Sequence, residues 1–183
     1  MKISLIFFAL TTLLLSQSQD TQIKDYFNSL NNKTILIEIF ENQSVFNANI
    51  SLNDPKIYFE TIEVDSTISL FENNVITSYD LSKKNIIIEN SDKNILDFFS
   101  YKNFENASLI KIEIKNENSN YYYNFYNNIL LISFNNSQKM VKEISLFQAE
   151  NSIFECKIID TNKYQNPLKF LNIDDSWKTI DWR

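Results

Sequence analysis

The side chains available for acid–base chemistry in this chain are carboxylates, because histidine is absent. Its 183 residues contain 23 Asp and Glu but no His, which removes the commonest general acid or base and excludes Ser–His and Cys–His nucleophiles. Four carboxylates close in sequence could supply a pair for glycoside hydrolysis: Glu60, Glu63, Asp65 and Glu72. On alternating strands such residues usually form the solvated face, so we expect that the chain is not an enzyme.

Composition argues equally against metal, nucleotide and nucleic-acid chemistry. A zinc site would depend on carboxylates and one Cys, and a loop that cradles phosphate needs Gly, which the chain lacks. The net charge is −6 without a stripe of Lys or Arg, which disfavours nucleic acid as a partner. We expect no metal and no cofactor. Cys156, in "SIFECKII", is interpreted as a buried strand residue, with a reactive thiol as the alternative.

The N-terminus has the pattern of an export signal. Lys2 precedes an apolar run from Ile3 to Leu15, which is followed by Ser-Gln-Ser, and this order is typical of a signal peptide with a small-residue cleavage site. The run is shorter than the about 20 apolar residues that a spanning helix needs. We predict a signal peptide over residues 1–18, cleaved after Ser18, and a single mature domain over 19–183. The alternative is an uncleaved N-terminal anchor.

The mature part begins with a helical pattern and continues with strands. In "TQIKDYFNSL" the apolar residues Ile23, Tyr26, Phe27 and Leu30 fall on one helical face. Period-two alternation then runs over residues 33–90, is interrupted by a short helix near 93–100, and resumes over 107–160. With Gly absent, Asn is expected to take the left-handed backbone at three turns: Asn73-Asn74, Asn127-Asn128 and Asn135-Asn136.

The order of these segments predicts a mainly β fold with short helices. Short loops favour antiparallel neighbours, and a long run of strands must close or curl to protect its edges. We therefore predict one strongly curved antiparallel sheet, an unclosed barrel, with both helices on its concave apolar side. Two interpretations stay open for the abundant aromatics, among them Phe27, Phe59, Tyr121 and Phe134: they pack the helices onto the sheet, or they line a cavity for an apolar ligand.

The segment "LNDPKIYFETIEVDSTISLFENNVITSYDLSKK", residues 52–84, resembles the LolA family, the periplasmic carriers of outer-membrane lipoproteins. In that family an Arg-Pro pair precedes an apolar-x-aromatic strand, and strands ending in Asp-Gly and in Tyr-Asp follow. The matching residues are Ile57, Phe59 and Glu60, then Glu72-Asn73, then Tyr79-Asp80. "YFNSLNNKT" and "NILDFF" are similar to the first and middle helices of the family. The family's Arg, to which lid contacts in the closed state are attributed, falls at Asn53 or Asp54 here.

The resemblance implies a LolA/LolB-like fold in which lid helices cover an apolar cavity. It also implies a function: a monomeric periplasmic carrier that binds the acyl chains of lipoproteins and shuttles them to the outer membrane. Each buried CH₂ contributes about 0.8 kcal/mol, so such chains cannot cross water exposed. The implied partners are acylated lipoproteins, an inner-membrane lipoprotein-releasing transporter and an outer-membrane acceptor. The alternatives are another exported β-rich lipid- or protein-binding module without a carrier role, or a surface protein.

Six residues are predicted to border the acyl-chain cavity. On "KIYFETIEV" the alternation separates Ile57 and Phe59 from Glu60, and a solvated Glu60 directs the other two inward. The family alignment gives Leu70 and Ile76 as their neighbours on the next two strands. The resemblance makes the middle helix, which carries Phe98 and Phe99, part of the lid. The predicted site is therefore Ile57, Phe59, Leu70, Ile76, Phe98 and Phe99.

Overall fold

The computed structural model describes residues 19–41, 44–62, 67–91 and 95–183. The predicted signal peptide, residues 1–18, lies outside the described residues, and so do the carboxylates Glu63 and Asp65. In these described ranges no helix is both long enough and apolar enough to cross a bilayer.

Twelve strands form one sheet. The first six are β1 Lys33–Glu41, β2 Ser44–Asn53, β3 Lys56–Ile62, β4 Thr67–Glu72, β5 Val75–Asp80 and β6 Asn85–Asn90. The other six are β7 Ser108–Lys115, β8 Asn118–Phe125, β9 Asn128–Asn135, β10 Met140–Gln148, β11 Asn151–Lys163 and β12 Lys178–Asp181. Their order across the sheet is β12-β6-β5-β4-β3-β2-β1-β11-β10-β9-β8-β7.

Two meanders joined at the centre explain this order. β1 pairs with β2 on one side and with β11 on the other, so β1 to β6 extend outward in one direction and β11 to β7 in the other. Neighbours are antiparallel except β12, which runs parallel to β6. The prediction of one long curved open sheet is confirmed. The pattern did not predict β12, because four residues with one apolar side chain carry no recognisable period.

The predicted first helix is present as α1, residues 19–29. Its apolar stripe packs on the sheet, with Ile23 and Phe27 fully buried and Leu30 2% exposed. The middle segment consists of a 3-10 helix, Ile95–Phe99, and a single α-helical turn, α2, Tyr101–Phe104. Both helical segments contribute to the same core as the sheet, because their aromatic residues meet each other on its inner, concave side.

Ring contacts link these segments to the sheet. Phe27 stacks on Phe104 at 4.4 Å between centroids, and Phe104 meets Tyr123 of β8 at 5.1 Å. Phe98 packs against Phe125 at 6.3 Å. Such pairs favour offset and edge-to-face contact beyond the area they bury. These aromatics therefore pack helices onto the sheet, the first of the two interpretations left open by the sequence.

Cys156 is fully buried on β11, and its burial raises the pKa of the thiol. A thiol held protonated in an apolar interior is not a nucleophile. The interpretation of Cys156 as a strand core residue is confirmed.

Asparagine replaces glycine at the tight turns, but not at every position predicted. Asn73 and Asn74 both have positive φ, 51° and 61°, as the sequence predicts. At the β8–β9 hairpin the pair is Tyr126-Asn127, one residue earlier than predicted. The prediction for Asn135-Asn136 is wrong, because Lys139 takes the left-handed conformation there. The side chain of Asn135 instead accepts the backbone N–H of Gln138 at 2.8 Å and closes a longer turn.

Residues 164–183, named here the strap, cross the outer, convex face of the sheet. The backbone N–H of Gln165 donates to Thr34 Oγ1 at 3.0 Å, and Tyr164 lies against Tyr58 with ring centroids 6.5 Å apart. The strap then forms a short 3-10 helix, Pro167–Phe170, and ends in β12 beside β6. It explains why Tyr58 is only 5% exposed although it points away from the core.

Candidate functional site

Strands β3 to β6, named here the wing, carry apolar side chains that the rest of the molecule covers incompletely. One row across the inner face runs from buried Ile57 through Phe71 to Ile76, which are directly paired in the register. A second row contains Phe59 and Ile87 at its ends. Apart from Ile57, all of these are half-buried. The inner face therefore changes from a packed core at β1 and β2 to partly open apolar surface at β5 and β6.

Two serines lie in the middle of the second row. Ser69 pairs with Ser78, and their hydroxyl oxygens are 3.0 Å apart. The two hydroxyls hydrogen-bond to each other, so one of them needs no water as an acceptor. The pair therefore interrupts the apolar surface of the wing only slightly.

A cleft of about 260 Å³ opens at the end of the wing, where three loops meet. We name it the rim cleft. Ile57 and Phe71 form its apolar part. Its polar wall comes from the turn after β2, the β4–β5 hairpin and the middle helical segment, and includes Asp54, Glu72, Asn73, Asp97, Ser100 and Lys102. A smaller cleft of about 50 Å³ next to it is lined by Phe27, Leu52, Ile57 and Phe99 among others.

Charge at the rim is mixed. Lys56 of β3 lies 3.6 Å from Glu72 of the neighbouring strand β4, and both side chains are partly exposed, so this ion pair is weak. Burial raises the pKa of Tyr126, and the carboxylate of Asp97 adds to the effect. A polar rim above an apolar floor suits an amphipathic ligand, whose apolar part enters while its polar part stays in water.

The register separates the six predicted site residues. Ile57, Phe59 and Ile76 lie on the inner face, as predicted, and Ile57 borders both clefts. Phe99, 1% exposed, borders the smaller cleft, whereas Phe98 is fully buried against aromatic neighbours.

The predicted position of Leu70 is wrong. Leu70 pairs with Tyr58 and Thr77, and directly paired residues share a face. It therefore lies on the outer face with Tyr58, away from Ile57 and Phe59.

Phe71 is the residue that sequence reasoning missed. Alternation in "STISLF" places Ile68 and Leu70 on one face and Ser69 and Phe71 on the other, and the first pair looks more like an inner face. Ile68 is in fact 4% exposed on the outer face. Because the strap crosses that side, both faces of the wing carry apolar residues, and polarity alone cannot tell them apart.

Glu60 and Glu72, the two candidate carboxylates that lie in the described part of the chain, do not form a catalytic pair. Glu60 accepts from Asn49 Nδ2 at 3.2 Å, and Glu72 is paired with Lys56. Glu60 lies opposite Ile68, four residues from Glu72 along β4, which is about 13 Å at the rise of a strand. Within the described ranges no group of three or more Cys, Asp or Glu could hold a metal ion.

No family model and no curated protein sequence matches the chain. Solved structures do match its fold. An uncharacterized conserved protein from Thermus thermophilus aligns over 90% of this chain and 99% of its own, with a TM-score of 0.56 at 6% identity. MucB, in a complex with MucA(peri), aligns over 85% of this chain and 61% of its own, with a TM-score of 0.38 at 8% identity. The first likeness shows a shared fold and nothing about function.

Proposed function

We propose that this protein binds the acyl chains of lipoproteins on the inner face of the wing and carries them through the periplasm to the outer membrane. The observation that carries the proposal is the half-buried apolar surface of Phe59, Phe71, Ile76 and Ile87, continuous with the rim cleft. Apolar surface left partly open beside a packed core is available to an apolar ligand. The resemblance of residues 52–84 to LolA carriers specifies which ligand.

Loading requires the molecule to open. The rim cleft, about 260 Å³, is smaller than the pockets of roughly 300–1,000 Å³ that hold drug-sized ligands, and a triacylated cysteine is larger still. The helical segments meet the sheet through side chains, and none of the pairings of the sheet involves them. They can therefore move away as lids without breaking a β-ladder, and the inner face they expose would receive the chains.

The polar rim has a role in this scheme. Acyl chains on the inner face would leave the peptide of the lipoprotein at the mouth, beside Asp54, Glu72 and Lys102. An inner-membrane transporter would load the carrier and an outer-membrane acceptor would unload it, so the protein itself needs no cofactor and no catalysis. The family's Arg falls at Asn53 or Asp54 here, and neither is Arg, so a closed state would depend on a different contact.

A second candidate is an exported β-rich module that binds another lipid or a protein without carrying lipoproteins. The tight ring packing of Phe27, Phe99 and Phe104 favours it, since every such contact opposes opening. Binding of a triacylated peptide distinguishes the two functions, because this module would take a single-chain fatty acid or a protein and leave the triacylated peptide in solution.

The test compares two substitutions that introduce the same charge on opposite faces of the wing. Phe59→Glu places a carboxylate on the inner face, where it is costly without a partner. Leu70→Glu is the matched control, since Leu70 is half-buried on the outer face. We expect Phe59→Glu to weaken binding of a fluorescent triacylated peptide at least about tenfold, or about 1.4 kcal/mol, and Leu70→Glu to leave it unchanged.

Unfolding midpoints are measured for both variants alongside binding. Equal loss of peptide binding in both would place the ligand elsewhere, and no binding by the unsubstituted protein would exclude the carrier function. If Phe59→Glu is fully unfolded, Phe59→Gln is used, with Leu70→Gln as its control.

A further inference from the structure

The two edges of the sheet differ in whether another strand covers them. At one end β12 covers the edge of β6. At the other end β7 pairs only with β8 among the described strands. Its outward backbone groups therefore have no strand partner in the part of the chain that the structure describes, and such an edge is a template for pairing with another chain.

The side chains of β7 are unusually apolar for an edge. Ile110 is 53% and Ile114 is 66% exposed, although the strict alternation of "SLIKIEIK" is typical of a strand with one buried face. Between them, Lys111 and Glu113 form an ion pair at 2.7 Å on the outer face, where Tyr122 Oη also donates to Glu113 at 2.9 Å.

The five residues from Ile110 to Ile114 read Ile-Lys-Ile-Glu-Ile and are complementary to themselves in reverse. We propose that β7 pairs antiparallel with β7 of a second copy of this chain, about a two-fold axis through Ile112. Lys111 then lies opposite Glu113 of the second copy, and Ile112 lies opposite Ile112 of the second copy. The contact is isologous, so the ion pair between the copies forms twice from one pattern.

Charge decides the register. Centring the pair on Lys111 would place Lys against Lys, and centring it on Glu113 would place Glu against Glu, both of which destabilise a ladder. A shift by one residue would put isoleucines opposite charges and turn one inner face outward. The register centred on Ile112 avoids both faults and continues the inner face of one copy into that of the other.

Two features of β7 itself oppose pairing with a second copy. A bulge falls between Leu109 and Lys111, and both bulges and edge lysines are devices that keep edge strands single. Ile110 is the residue that this bulge leaves without a partner on β8, whereas Lys111 to Lys115 pair regularly with β8. The stretch that carries the charge pair is therefore straight, but the contact is short, and a weak dimer follows.

The first test is a charge reversal with its compensating swap. The purified protein is followed by sedimentation from about 10 µM to about 1 mM, the range of weak association. We expect a dimer that Glu113→Lys weakens at least about tenfold, and that the double variant Lys111→Glu/Glu113→Lys restores. Glu150→Lys, an exposed residue in the β10–β11 turn, is the control with the same change in net charge.

The second test reads the register. Ile112→Cys places two thiols opposite each other across the axis, within the span of a disulfide, and we expect a crosslinked dimer on oxidation. Ile114→Cys should not crosslink, because the two copies of residue 114 are about 13 Å apart along the strands. Buried Cys156 does not compete. A monomer at every concentration, or a dimer that ignores the charge reversal, would overturn the proposal. Loss of this dimer leaves lipid binding untouched, because the wing lies at the other end of the sheet.

Discussion

Single side chains hold the turns of this sheet, and Asp80 shows how. At the end of β5 its Oδ1 accepts from Ser82 Oγ at 2.7 Å and from the backbone N–H of Lys83 at 2.9 Å. These hydrogen bonds, with the Ser82 hydroxyl contributing most, lower the pKa of the carboxyl to about 2. The ionised carboxylate accepts both hydrogen bonds more strongly than the protonated acid does, so the turn is most stable when Asp80 is charged.

This dependence predicts how stability changes with pH. The pKa of Asp80 is lower in the folded than in the unfolded chain, so its contribution is complete above about pH 4 and is lost as pH falls towards about 2. We expect Asp80→Ala to lower the urea midpoint at pH 7 and to match the unsubstituted protein near pH 2. A difference between the two proteins that persists unchanged at pH 2 would contradict this role. The other carboxyls with a lowered pKa, Glu113, Asp174 and Asp181, titrate in both proteins, so their contributions cancel.

At the scale of elements, α1 is attached to the sheet by its apolar face and by side-chain hydrogen bonds. Tyr123 Oη on β8 donates to Asp20 Oδ1 at 3.0 Å, and burial together with this carboxylate raises the pKa of Tyr123. Asp20 is also paired with Lys24 at 3.1 Å. A second hydrogen bond joins the Tyr26 side chain to the backbone of Val141 on β10. Apolar packing adds to both, and Phe27 is the largest fully buried side chain of the helix.

We expect Tyr123→Phe to loosen α1 selectively. Removing the hydroxyl takes away one hydrogen bond, worth about 1 kcal/mol, and leaves Asp20 paired with Lys24. The amides of α1 should exchange with solvent faster while those of β1 and β11 stay protected, and apolar-dye binding should rise because the inner face is uncovered more often. Hydrogen exchange by mass spectrometry measures the first effect. Unchanged exchange in α1 would show that this hydrogen bond does not hold it.

At the scale of the whole molecule, the strap covers part of the outer face, so that the sheet is packed on both faces. It lies against Tyr58 on the outer face, where Ile68 is also buried, and supplies the strand that covers β6. Burial first, and then Tyr164, raise the pKa of Tyr58 to about 12, which is a local measure of how well the strap covers this face. The wing is thus covered from outside while its inner face stays partly open.

Removing residues 164–183 should therefore weaken the wing and spare the centre of the sheet. We expect a lower unfolding midpoint and rapid exchange of β6 amides, because its edge and the apolar outer face become exposed to water. Phe170→Ser is the control, since Phe170 lies in the strap but is 87% exposed. Full protection of β6 in the truncated chain would show that the strap does not stabilise the wing.

Local pattern was sufficient for the elements and their order. The change from period 3.6 to period two located α1 and the two strand regions, 33–90 and 107–160, and short loops implied antiparallel neighbours. The pattern was also sufficient for the inward direction of Ile57 and Phe59. Glu60 alternates with them on the same strand, and a Glu that faces water leaves the inner face to the other two. The asparagine turn at 73–74 followed from the absence of glycine. Each of these depends on neighbours within a few residues, which the sequence contains.

Tertiary structure decided what lies on the other side of each element. Leu70 and Phe71 are equally apolar, and the register places Leu70 beside Tyr58 on the outer face, which the strap, about 90 residues later in the chain, crosses. Ile110 and Ile114 alternate as regularly as buried residues do, yet they are exposed because β7 ends the sheet. Alternation specifies that two residues share a face. Whether that face is buried depends on which distant segment covers it, and the packing of the whole chain decides this.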